Sequence, residues 1–92
     1  MMEKDYLIKK NESMVLAELD GQIVMMSIEN GEYYGFNEMA TIVWGKIESG
    51  IRVSELIENL ITEYSVTKEE CAKDISELME YLSSKNIVII EE

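Results

Sequence analysis

Histidine is the usual metal ligand and neutral-pH proton shuttle and cysteine a reactive nucleophile, and this chain has one cysteine and no histidine. Cys71 shares an apolar helical stripe with Ile75, Leu78 and Leu82, and no histidine is present to activate it. It reads as a small buried hydrophobe rather than a nucleophile. A lone cysteine makes neither an internal disulfide nor a cysteine-built zinc site. The 19 acidic residues fall in no motif that metal or sugar chemistry demands. Glu69 and Glu70 read as first-turn charge complementing a helix dipole. The expectation is a chain without catalytic residues, metal or cofactor.

The sharpest local feature is the run Glu32-Tyr33-Tyr34-Gly35-Phe36. Read as a strand, it puts Tyr34 and Phe36 on one face and Tyr33 on the other. Packing accounts for the inner pair. The strand's edge is a separate matter. A strand last in its sheet has free N–H and C=O groups on one side, and these can template an added peptide strand. The alternation alone leaves open whether the C-terminal apolar run covers that edge.

The surrounding pattern places this strand. Residues 14–19 and 22–28 read as strands joined at Asp20-Gly21, and Asn30-Gly31 leads into the third, which together make an antiparallel meander. Asn37 reads as the N-cap of a first helix over 38–47, with Met39 or Ala40, Val43, Trp44 and Ile47 at helical spacing and Gly50 after its stop. Ser54 reads as the cap of a second helix over 55–64. Thr67 and Glu70 fit a capping box opening a third helix that runs to Ser84. Asn86 suits a left-handed stop, and 87–90 form a short apolar strand. The fold class is α+β: a three-stranded antiparallel meander, three helices and a short C-terminal strand, winged helix-turn-helix-like. Residues 1–12 read as a flexible N-terminal arm, with joining the sheet left open, and 13–92 as the domain.

The length, 92 residues, allows one core. A formal net charge of -11 with scattered basic residues disfavours binding to phosphate backbones. No stretch approaches the roughly 20 apolar residues of a membrane span, and no signal peptide is visible. The expected location is the cytoplasm.

The stretch Gly31–Glu38 followed by Ile42-Val43-Trp44, with the third-helix pattern Cys71, Asp74, Ile75 and Leu78-Met79, resembles the PqqD-like leader-peptide-binding domains, or RiPP recognition elements. Within them it is similar to the stand-alone chaperones of lasso-peptide clusters. The resemblance spans about residues 14–90, with Phe36 where the family tends to have Leu and Ala40 where it tends to have Gly. It implies a domain that takes the leader of a ribosomally made precursor peptide as an extra strand beside the third strand, in a groove against the third helix. Carried over, the edge is Glu32, Tyr33, Tyr34, Gly35 and Phe36. The groove wall is Cys71, Asp74, Ile75 and Leu78, with Tyr81 beside them. The implied partners are the leader peptide, a leader-cleaving cysteine protease and a macrolactam synthetase. No nucleic acid or membrane is implied.

For Asp74 two readings stand: a solvated helix charge, or a group that pairs with the leader. Two other functions are weighed against leader binding. A winged-helix DNA-binding regulator needs basic or amide side chains on its recognition helix, whereas the third helix carries Glu69, Glu70, Asp74, Glu77 and Glu80. A structural protein–protein adaptor is the other, and gene neighbourhood separates it from a peptide-maturation role.

Overall fold

The computed structural model describes residues 5–92. Its elements follow in the order β1 (Leu7–Lys10), β2 (Met14–Leu19), β3 (Gln22–Ser27), β4 (Tyr33–Gly35), α1 (Glu38–Ile47), β5 (Ile51–Arg52), α2 (Val53–Glu63), α3 (Lys68–Ser84) and β6 (Val88–Glu91). The strands make two three-stranded sheets, ordered β2-β3-β4 and β5-β1-β6.

The expected meander is the first of these. Asp20 and Gly21 turn the β2–β3 hairpin with φ of 53° and 81°, the left-handed pair that a two-residue turn requires. Residues paired across the sheet share a face. Met14, Met25, Ser27 and Phe36 therefore face inward and are buried, and half-buried Tyr34 lies on the same side. Val15, Ala17, Leu19, Val24, Met26 and Tyr33 lie on the outer face.

The second sheet takes in part of the N-terminal segment. Met1–Lys4, the start of the expected arm, lie outside the described residues. From Leu7 to Lys10 the chain is the middle strand, paired with β5 on one side and β6 on the other. Ile8 is 0% exposed. A four-residue strand with a single buried side chain carries almost no local signal. The partners of Ile8 lie 43 and 82 residues further along, at Ile51 and Ile90.

Capping follows the sequence at two helices and departs from it at one. Asn37 Oδ1 accepts the Ala40 N–H at 2.8 Å, and Thr67 Oγ1 accepts the Glu70 N–H at 3.1 Å. Glu70 makes no return bond to Thr67. Ser54 is not a cap, because α2 starts one residue earlier, at Val53. Its N–H and its hydroxyl both donate to the Asp5 carboxylate, at 2.9 and 2.7 Å. A carboxylate at a helix N-terminus satisfies orphan N–H groups and meets the positive end of the helix dipole, so the acid on the N-terminal segment takes the capping role. These bonds hold the Asp5 carboxyl below its ordinary range.

The core lies between the sheets and the helices. Ile8, Met25, Ile47, Leu56, Ile75 and Leu82 are each 0% exposed, and each such burial is worth about 1.5–3 kcal/mol. Trp44 anchors α1 with its ring edge-on to Phe36, centroids 6.2 Å apart, while Lys10 Nζ lies 4.7 Å from the indole centre. Phe36 and Trp44 thus fix the point where the chain leaves β4 and enters α1.

Candidate functional site

β4 is the last strand of its sheet, and β6 pairs with β1 instead. The edge that the sequence left open is therefore uncovered by the C-terminal strand. Ser27 N–H donates to Glu32 C=O at 2.9 Å, which makes Ser27 and Glu32 a hydrogen-bonded pair. In an antiparallel ladder such pairs alternate. Tyr34 therefore bonds back to Met25, and Tyr33 and Gly35 turn their N–H and C=O groups outward. The Gly35 carbonyl shows this directly, because the Tyr81 hydroxyl of α3 reaches it across the edge at 3.4 Å.

Beside the C-terminal end of β4 opens a groove of about 900 Å³. Phe36, Ile23 and Val24 supply its sheet side, Met39 and Ala40 of α1 close one end, and Leu78 and Tyr81 of α3 form the far wall. Asp74 and Glu77 stand on the α3 wall as well. Several of these side chains are unusually open for apolar residues: Ile23 is 39% exposed, Met39 37% and Tyr81 37%. At the N-terminal end of β4 lies a smaller hollow of about 340 Å³, lined by Ser13, Ser27, Asn30, Glu32, Tyr34 and Lys85, among others. One strand thus runs between an apolar groove and a polar hollow.

The residues expected at the site are placed as follows. Gly35 and Phe36 line the groove, and Glu32 and Tyr34 line the hollow. Tyr33 stands on the outer face, 53% exposed. Asp74, Leu78 and Tyr81 form the helical wall. Cys71 and Ile75 do not reach it: they are 5% and 0% exposed and belong to the core beneath. On a helix, i and i+4 share a face, and Cys71 and Ile75 share the inward one while Asp74 and Leu78 flank it. Burial pushes the Cys71 thiol above its ordinary range, and the charge of Asp74 adds to that.

Sequence reasoning missed Glu77, Ile23 and Met39. Glu77 was legible in principle, lying three residues after Asp74 and one before Leu78. Ile23 and Met39 carry no such signal, because their presence depends on how α1 packs beside the β2–β3 hairpin.

These features define a small α+β domain of winged-helix type whose sheet ends in an open strand edge facing a helix-walled groove. The sequence pattern of the family described as Coenzyme PQQ synthesis protein D (PqqD) matches residues 22–88, and the chain belongs to that family. Among solved structures it is similar to TbiB1 in complex with the TbiA(beta) leader peptide, at 25% identity and a TM-score of 0.74, over 87% of this chain and 93% of that one. It also shares its fold with lasso peptide synthetase B1 complexed with the leader peptide, at 21% identity and a TM-score of 0.73, over 89% of this chain and 96% of that one. No curated protein sequence matches it.

Proposed function

We propose that this domain binds the leader segment of a ribosomally synthesised precursor peptide as an added strand along β4 and presents it to processing enzymes. The observation that carries the reading is the edge itself. Tyr33 and Gly35 turn their backbone groups outward beside an apolar groove walled by α3. Strand addition uses such groups for affinity and the neighbouring pockets for sequence choice. The backbone bonds and one or two apolar anchors offset the entropy lost in ordering an extended peptide. Membership of the PqqD family and likeness to a protein solved with its leader peptide support the same reading. The domain acts without catalysis, as a carrier.

The outer face of the β2-β3-β4 sheet supports the second half of the proposal. An antiparallel sheet with one face in water normally alternates apolar inward with polar outward. Here the outward positions are Val15, Ala17, Leu19, Val24, Met26 and Tyr33, with Gln22 and Gly35. No charge falls on this face in a chain of net charge -11. A strand added to β4 extends the face with its own alternate side chains. An enzyme docked there reads domain and peptide together, which suits the leader-cleaving protease, with the macrolactam synthetase acting afterwards.

The test is a titration of the purified chain with a fluorescein-labelled leader segment of the precursor encoded with it, read by anisotropy. A scrambled peptide and a DNA duplex serve as controls. Saturable binding of the leader alone, at micromolar concentration or below, is expected. Binding of the duplex, or equal binding of the scrambled peptide, refutes the proposal.

A further inference from the structure

The groove has a charge character that names the peptide it takes, an inference that rests on the peptide-binding reading above. The charged side chains lining it are Asp74 and Glu77, and both are acids. They sit at i and i+3 on α3, on one side of the helix, and Leu78 and Tyr81 continue that side at i+4 and i+7. Both are exposed, and among the described residues neither carboxylate has a hydrogen-bond or ion-pair partner. The basic side chains in the described ion pairs are engaged elsewhere: Lys9 with Glu91, Lys46 with Glu63 and Lys68 with Glu58. Among the described residues no lysine or arginine lines the groove. A net charge of -11 deepens the negative potential over this concave, apolar-floored site.

A peptide strand laid along β4 places alternate side chains on the groove side. An apolar side chain against Phe36 and Leu78 and a second side chain beside Asp74 must therefore be an even number of residues apart. From Leu78 back to Asp74 the helix rises about 6 Å, which is about two residues of extended chain. We infer that the groove selects a peptide carrying Lys or Arg two residues from the large apolar side chain that fills it, and rejects an acid at that position. The cation neutralises two like charges that stand side by side on α3 above apolar surface. The uncharged outer face of the sheet reaches the groove through Gln22, Val24 and Gly35 and adds no charge to it.

The experiment uses the full chain and the fluorescein-labelled leader segment described above. Asp74→Asn with Glu77→Gln is expected to bind about tenfold more weakly at low salt. Raising salt from about 0.05 to about 0.5 M should weaken binding to the unmodified chain several-fold and to the double variant little. Replacing the basic residue of the leader with Glu should weaken binding further, and only to the unmodified chain. Glu55→Gln, on α2 away from the groove, should bind as the unmodified chain does. Both groove acids are exposed, so the amide variants keep the helix, and circular dichroism checks it. Equal affinity and equal salt dependence in the double variant overturn the inference and leave peptide binding standing. So does a saturably bound leader with no basic residue two positions from an apolar one. No saturable binding of the leader by the unmodified chain overturns the peptide-binding reading itself, and this inference with it.

Discussion

The two sheets of this domain have the same strand count and the same antiparallel pairing, yet they are built for opposite ends. In β5-β1-β6 the middle strand has both edges occupied, and its side chain Ile8 is sealed in the core. The Asp5 carboxylate and the Tyr6 carbonyl stitch its approach to the start of α2. In β2-β3-β4 the last strand is three residues long, has one free edge and stands beside a groove. Its outer face is apolar and open. The first sheet closes the chain on itself. Both sheets end in edge strands, but in the second the β4 edge borders an apolar groove, the condition under which a sheet recruits another chain. A domain this small can keep such an edge only because the other sheet and the helices hold the core.

The contrast predicts that damage to the first sheet appears as stability and damage to the second as binding. The largest effect is expected from Ile8→Ala, which opens a cavity in the core and costs about 2–5 kcal/mol. Chemical denaturation measures it. A cost below about 1 kcal/mol would mean that β1 is the loose arm its sequence suggests. Gly35→Pro comes next. Its N–H points outward, so proline removes a donor offered to an added strand without breaking the ladder to β3. Leader affinity should fall at least about tenfold, with little change in midpoint. Unchanged affinity would place the peptide elsewhere.

Met26→Glu puts a charge on the outer face. Leader binding should stay within about twofold, while leader removal by the proposed protease partner slows by about tenfold or more. Equal loss in both assays would merge the two surfaces into one. Tyr34→Ala removes a half-buried ring on the inner face and should cost about 1–2 kcal/mol, less than a fully buried aromatic would.

The smallest effect is a pH dependence. Asp5 has a folded pKa depressed by the Ser54 bonds, so its contribution is fully present above the unfolded carboxylate range. It is lost as pH falls through the folded value. Asp5→Ala should therefore lower the thermal midpoint at neutral pH by a constant amount, and the difference from the unmodified chain should vanish in strong acid. A difference that persists there would show that the clamp does not depend on the charge.

Much was legible in the residues themselves. Asp20-Gly21, Asn37 and Thr67 mark turns and caps through bonds made within three residues, so the meander, α1 and α3 could be placed from neighbours alone. The alternation through Tyr33, Tyr34 and Phe36 assigned their faces. The missing histidine and the acids of α3 set the expectation of a binding rather than a catalytic or DNA-reading role. The tertiary structure decided the rest, because it depends on residues far apart in the chain. Leu7–Lys10 becomes a central strand only when Ile51 and Ile90 flank it, and Ser54 gives up its capping role only when Asp5 arrives from 49 residues away. Which flank of α3 faces β4 is set by how the helix packs, and that sends Cys71 and Ile75 into the core and Asp74, Glu77 and Leu78 to the groove. The open edge follows from the same packing: β6 pairs with β1 and not with β4, so the strand beside the groove keeps β3 as its one neighbour.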